Sequence, residues 1–468
     1  MAVASRRPSR LAEIQLPEFG EPTVQPEIPA ATYEARLEQV RRRMKAEGLD
    51  ALVVYGDREH TANLTFLTGY DPRFEEALLV VTPGRIPTLF VGNEGWGYAE
   101  LAAGSFERVL YQSVSLLGQP RDEVRALSDL LTDAGLGAGM RIGSAGWKSF
   151  SAEDVGSTPE WLEIPSFIAD ALRAVAGPGG NVVNANDLFM NPRDGLRAIN
   201  DVDQLAAFEF AATFSSQALR NVIFGVRPGM TEYDAVRLMQ LNGFPWAAHL
   251  MLSGGPRARY GLPSPSMRRL ERGDTFTMAC SLWGALNARA GFLVADASEL
   301  PADIQDYVDR LVGPYFEAVV AWYETIGIGV PAGELWEAVN NVIGDPFFGV
   351  GLNPGHLIHL DEWLHSPVSQ GSTIPLVSGM AFQVDVIPAT GSAYFTTNIE
   401  DGIALADEEL RAAFASRYPE AWRRIQKRRS FMMEVLGIRL RPEVLPFSNI
   451  PAYLTPFLLS PRRAMAMA

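Results

Sequence analysis

Cysteine is almost missing from this chain: Cys280 is the single thiol in 468 residues. One thiol forms neither an intrachain disulfide nor a thiolate metal cluster, which fits a reducing, cytoplasmic location. A lone cysteine is read first as a small buried residue rather than a nucleophile. Histidine is scarce as well, with five in the chain. Long apolar runs are absent, and none approaches the ~18 residues of a membrane span, so no membrane partner is expected. Positive charge is in deficit: the net charge of −15 argues against nucleic acid as a partner. The Gly-rich strings lack the lysine of a phosphate loop, and no Gly-x-Ser-x-Gly elbow accompanies the histidines.

What is present is an ordinary globular balance, 47% hydrophobic and 20% charged, long enough for two or three domains. The stretch to Pro29 carries Arg6, Arg7 and Arg10 but no apolar run behind them. It is polar and Pro-rich, so it reads as an arm (residues 1–30) lying on a partner subunit, not as a signal peptide. Leu37, Val40 and Met44 recur at helical spacing, and Ala51–Tyr55 reads as a buried strand. Pro83-Gly84 marks a hairpin between strands Ala77–Val81 and Thr88–Val91. Helices over Asp122–Ala134 and Ser166–Val175 bracket a strand beginning at Arg141. This alternation predicts an α/β domain over 31–180. The Gly/Pro break Ala176–Gly180 opens a linker, 181–200. An α+β domain follows over 201–440. Helices Val202–Val222 and Ile304–Thr325 and a cap at Thr231–Asp234 lie in its first half, and polar strands in its second. Residues 441–468 are read as a tail.

Three of the histidines, His356, His359 and His365, fall within ten residues of one another, with Asp361 and Glu362 among them. Imidazole titrates near neutrality and is the commonest neutral metal ligand, so acid–base and metal roles are both open. Asp385 sits among Val and Ile, and Glu400 is similar; a carboxylate is expensive to bury there unless it is paired or used. Asp401 reads equally well as a turn residue. Arg257 and Arg259, in a Gly/Pro-rich loop, are either a carboxylate clamp or a solvated surface.

The order of these signals resembles the creatinase/prolidase/methionine-aminopeptidase (pita-bread) superfamily. Asn63–Tyr70 is similar to its Leu-Thr-Gly segment, and Val226–Glu232 to its turn between helices. Arg272-Gly-Asp274, Asn353–His356, Ser378–Phe382 and Asn398–Asp401 resemble its metal-strand, Gly-His, Gly-Met-x-Phe and Glu-Asp segments. The resemblance implies a creatinase-type α/β domain followed by an α+β pita-bread domain, and a homodimer. Metal-dependent members use two aspartates, a histidine and two glutamates. Here Ala279 stands at the first aspartate position, Asn287–Gly291 covers the second, and Asp385 stands where a glutamate is usual. That loss resembles the metal-free, creatinase-like branch, although Arg259–Pro263 replaces the branch's upstream histidine.

The leading expectation is therefore a metal-independent, cofactor-free hydrolase cleaving an amide, amidine or guanidino-type C–N bond of a small polar metabolite. His356 is the first-choice acid–base group, with Asp385 and Glu400 beside it, and His359, His365 and Glu362 are further candidates. Arg257, Arg259, Tyr260, Trp283 and Tyr70 are the candidate substrate contacts. Three alternatives stay open. One is a rebuilt mononuclear site in which His356, Asp385 and Glu400 hold one divalent ion such as zinc or manganese. The others are a lyase acting on a small cation and an inactive binding protein.

Overall fold

The computed structural model describes residues 7–151, 154 and 161–468; Arg6 lies outside them. The chain forms two compact units: Ile28–Ala198, and Ile199–Ala468 together with the N-terminal residues to Glu27. The N-terminal arm therefore belongs to the second unit. Its strand β1 (Ser9–Glu13) pairs antiparallel with the last strand, Arg463–Met467, of the same chain. The arm thus lies on its own chain, where the sequence reading placed it on a partner.

The first unit is built on a six-stranded mixed sheet. Its strands are β2 (Ala51–Gly56), β3 (Ala77–Val81), β4 (Thr88–Val91), β5 (Glu107–Leu110), β6 (Arg141–Ala145) and β7 (Asn181–Asn184), in the order β5-β4-β3-β2-β6-β7. β2 and β3 are buried along their whole length, which is why they read as unbroken apolar runs. Val53, Val80, Phe90, Leu131, Ile142 and Leu172 meet in one core cluster. The helix expected from Asp122 starts only at Leu127. Arg121 bonds back to the Gln112 carbonyl, and the Gln112 side chain takes the Glu123 N–H at 2.7 Å, so this segment is held as a loop. The expected linker is also corrected. Ala176–Gly180 is a turn from helix to strand, with Gly177 and Gly179 at positive φ, and β7 behind it is an integral edge strand paired with β6.

The second unit opens with the helix Val202–Gly225, whose first turn is capped by Asp201 accepting from Gln204 N. Thr231 and Asp234 form the reciprocal capping box that the sequence suggests. A seven-stranded antiparallel sheet follows, made of β8 (Met251–Gly254), β9 (Thr275–Leu282), β10 (Ala285–Phe292), β11 (His356–Leu357), β12 (Ala381–Val386), β13 (Asn398–Leu405) and β14 (Val444–Pro446). The order is β11-β12-β13-β10-β9-β8, with β14 on β13. The helix expected from Ile304 is a short π-helical turn, Val308–Val312, running into the regular helix Gly313–Thr325. Residues 441–468 are no free tail: β14 extends the large sheet, Tyr453 is fully buried, and β15 (Arg463–Met467) is the partner of β1.

The large sheet has two different faces. Ser215 of the helix Val202–Gly225 donates to the Cys280 carbonyl at 2.6 Å. Cys280 is fully buried and its thiol is pushed up to about 12 by that burial, which removes it as a nucleophile. On the same face as Cys280, Arg289 pairs with Asp401 at 2.8 Å, and Asn287 and Ala452 N also donate to that carboxylate. Asp401 is therefore a buried structural anion and not a turn residue.

Candidate active site

Directly opposed residues on neighbouring strands present their side chains to one face. Asp385 opposes Glu400, Glu400 opposes Ala288, Ala288 opposes Ala279, and Ala279 opposes Met251. These five positions form one row across five strands, on the face opposite Asp401. The row is split in character. Its β12–β13 end carries two carboxylates, while Met251, Ala279 and Ala288 at the other end join Leu286 in a buried apolar cluster. On the same face one row over, His356 opposes Gln383, and Gln383 opposes Gly402. The Gln383 amide donates to the Leu286 carbonyl at 2.9 Å, lying across Gly402. A Cβ at residue 402 would stand 3.2 Å from Gln383 Oε1, so the glycine makes room for the crossing.

His356 is fully buried. Beyond β11 the chain doubles back, with Leu357 bridged to His365, and returns Glu362 and Trp363 to the histidine. Glu362 Oε1 lies 3.2 Å and Glu400 Oε1 3.6 Å from His356 Nε2. Trp363 stacks on the imidazole with centroids 4.1 Å apart. On the other ring nitrogen, Nδ1 is 3.1 Å from the Leu357 carbonyl. A carbonyl at one nitrogen and two carboxylates at the other suit the doubly protonated imidazolium. Burial alone would lower the His356 pKa, but hydrogen bonds to Glu362 and Glu400 and their charges overcome it and raise it to about 10. Burial raises Asp385 to about 6, with His356 pulling down and Glu362 pushing up. Glu400 is pushed well above the usual carboxylate range, by burial first and then by the charge of Asp385.

The other sequence candidates are placed differently. His359 packs edge-on against Phe208 of the helix Val202–Gly225, and His365 closes the hairpin through its backbone. Among the described residues, the one group whose ligand atoms all lie within 4.8 Å of each other is His356, Glu362 and Glu400. It contains Glu362 where the sequence reading named Asp385, because the folded-back hairpin brings Glu362 onto the ring. Arg257 is engaged in its own loop: it pairs with the buried Glu232, reaches Ser266 Oγ at 2.6 Å and donates to the Ser264 carbonyl. Arg259 lies over the exposed Tyr260 ring, 4.6 Å from its centroid. Trp283 is half-buried at the β9–β10 turn, its backbone N–H donating to the Pro245 carbonyl. Tyr70 is buried in the first unit, beside Tyr98, with its hydroxyl raised by burial. Trp363, Gln383 and Asn398 were not singled out from sequence. The signal for the last two is the period of two that pairs Gln383 with Asp385 and Asn398 with Glu400 on one face.

Residues 36–153 match the Creatinase/Prolidase N-terminal domain. No curated protein matches the chain. Among solved structures, the prolidase from Pyrococcus horikoshii OT3 is 18% identical, with a TM-score of 0.60, covering 80% of this chain and 95% of that one. The X-Pro aminopeptidase from Thermotoga maritima MSB8 is 17% identical, with a TM-score of 0.59 and coverage of 80% and 95%. The dipeptidase PepE from Mycobacterium ulcerans is 19% identical, with a TM-score of 0.59 and coverage of 81% and 95%. The chain therefore has the creatinase/prolidase, or pita-bread, fold: a creatinase-type α/β unit and an α+β pita-bread unit. A carboxylate-bridged metal pair does not fit this site. Two adjacent divalent ions need bridging carboxylates, and Ala279 and Ala288 put methyl groups on that half of the face.

Proposed function

We propose that this chain hydrolyses a C–N bond of a small polar substrate, without a bridged metal pair, using His356, Glu362, Glu400 and Asp385. The observation that carries this reading is the split row, in which Asp385 and Glu400 continue into Ala288, Ala279 and Met251. The polar chemistry is thereby confined to one end, around one imidazole.

That end holds an acid and a base together. An imidazolium kept protonated by Glu362 and Glu400 is matched to an amine leaving group, which needs a proton as the C–N bond breaks. Asp385, raised to about 6, is ionised at neutral pH and accepts the proton of the attacking water. Proton transfer from the carboxyl pair back to His356 restores the starting state. Trp363 and the Leu357 carbonyl hold the ring in place meanwhile.

A second reading is favoured by the mutual 4.8 Å spacing of His356, Glu362 and Glu400. Three such donors suit one divalent ion, which when bound would polarise a carbonyl or activate water.

The test combines elemental mass spectrometry of tag-free protein with a screen of amide, amidine and guanidino compounds in oxygen-18 water. Substoichiometric metal with label in the product is the expected result. Near-stoichiometric metal that disappears in His356→Ala sinks metal independence and leaves the second reading. Cleavage without label sinks hydrolysis in favour of elimination.

A further inference from the structure

The chain as a whole is acidic, but one helix runs against it. Pro419–Ser430 carries Arg423, Arg424, Lys427, Arg428 and Arg429 against a single acid, Glu420. Two of these guanidiniums, Arg424 and Arg428, are more than nine-tenths buried and share one anion. Glu209, fully buried on the helix Val202–Gly225, accepts from Arg424 Nε at 2.9 Å and Nη2 at 2.6 Å, and from Arg428 Nη1 at 2.6 Å. The remaining donors of Arg428 end on neutral acceptors, Asn449 Oδ1 and Thr213 Oγ1. Two positive charges therefore face one negative charge in the interior. Burial lowers the Arg428 pKa, Glu209 holds it up, and the charge of Arg424 pushes it down again. A buried charge in excess is costly unless an anion reaches it.

The excess opens onto a cleft. Residues 420, 423, 424 and 427 share one face of their helix. That face looks across a cleft of about 240 Å³ to the N-terminal segment 19–23. The segment is fixed in place. Asn449 Nδ2 donates to the Gly20 carbonyl at 3.2 Å, and Phe19 packs edge-on against Phe431. Two nitrogens of Arg424 are spent on Glu209, and Nη1, the third, has no acceptor among the described residues. Arg423 and Lys427 line the same cleft, and among the described residues neither side chain has an ion pair. The acids on the rim, Glu21 and Glu420, are exposed and pair with none of the three cations. Solvated in this way, they do not offset the charge in the interior.

We propose that this cleft binds a small oxyanion, a phosphate or a carboxylate, with its oxygens on Arg424 Nη1 and on the head groups of Arg423 and Lys427. Arg424 is the fixed point, because Glu209 holds its guanidinium in plane. Arg423 and Lys427 are long, unpaired chains that close onto the ligand from the surface. The cleft is smaller than the ~300 Å³ at which pockets for drug-sized ligands begin, so the occupant is small. The site shares no residue with the cluster around His356, and the proposal is independent of the hydrolase reading.

The experiment is calorimetric titration of full-length protein with inorganic phosphate, malonate and glycine, at an ionic strength held constant with potassium chloride. Phosphate or malonate is expected to bind, and the tighter of the two identifies the head group as phosphate or carboxylate. Arg423→Gln and Lys427→Gln should each weaken that binding about 10-fold. Arg424→Gln should abolish it. Arg424 also pairs with Glu209, so the two exposed variants keep the test sound where Arg424→Gln fails to fold. Glu21→Gln, which removes an acid from the rim, should tighten anion binding about 2- to 3-fold. Saturating anion should also raise the melting temperature by a few degrees, and should not do so in the Arg423→Gln/Lys427→Gln double variant. Failure of both anions to bind, or binding indifferent to Arg423→Gln and Lys427→Gln, overturns the proposal. Glycine that binds where both anions fail, and is weakened by Glu21→Gln, assigns the cleft to a zwitterion and also overturns it.

Discussion

Trp363 and His356 stack with their ring planes 18° apart, so the indole covers one face of an imidazole that is otherwise enclosed by protein. An indole face favours the cationic ring, by about 0.5–2 kcal/mol. Trp363→Leu is expected to lower turnover by roughly 3- to 30-fold at neutral pH, with a smaller change in KM. An imidazolium also quenches a stacked indole. The fluorescence difference between the unsubstituted protein and Trp363→Phe should therefore titrate with His356, near pH 10.

Removing the charge at Glu362 tests the ion pair directly. Burial opposes protonation of His356, and Glu362 and Glu400 together reverse that effect. Glu362→Gln should shift the ring titration downward in NMR and cost about 100-fold in turnover. The folded pKa of His356 is raised above its ordinary 6.5, so its contribution to stability is complete below 6.5 and lost as pH rises through about 10. In Glu362→Gln that loss should begin at lower pH in denaturant titrations.

Asp385 has linkage of the same sign over a lower pH window. Its folded pKa, about 6, lies above the ordinary 3.8, so the folded state holds the proton more tightly and stability falls as pH rises between the two. Asp385→Asn is expected to abolish turnover. It should also raise the melting temperature above pH 6 by a few degrees, with little change at pH 4. Equal melting temperatures at both pH values would contradict the assigned burial effect.

Ala279→Asp would return a carboxylate to the apolar end of the row. With Met251, Leu286 and Ala288 as neighbours, the new charge should cost about 2–4 kcal/mol, read from the urea midpoint. Added zinc or manganese should not restore it.

The arginine loop separates a structural residue from an exposed one. Arg257→Ala leaves the fully buried Glu232 with one partner fewer and should cost about 1–3 kcal/mol, whereas Arg259→Ala should change stability by less than about 0.5 kcal/mol.

The sequence makes the fold legible where pattern and chemistry coincide. β2 and β3 announce themselves as continuous apolar strands, and Thr231 and Asp234 as a cap. The candidate site is legible in part, because Asp385 and Glu400 are charges inside apolar strands. What pairs with them is decided by register, which is non-local: nothing near Glu400 in the sequence says that it opposes Asp385 and Ala288. The histidine cluster is misleading for a similar reason. The hairpin after β11 sends Glu362 to His356 and His359 to Phe208, a sorting that spacing alone does not contain. Arg257 reads as a free clamp until its partner Glu232, 25 residues earlier, is known.

The pairing of β1 with β15 brings the two ends of the described chain side by side, down to the Ala468 N–H on the Pro8 carbonyl. They form one ladder, so they stand or fall together: trimming the final strand strips Ser9–Glu13 of its partner, and trimming the first exposes an edge of Arg463–Met467. The same closeness makes the protein a natural subject for circular permutation. The two paired segments could be joined by a short linker and new ends opened in an exposed loop, with the seven-stranded sheet left uncut.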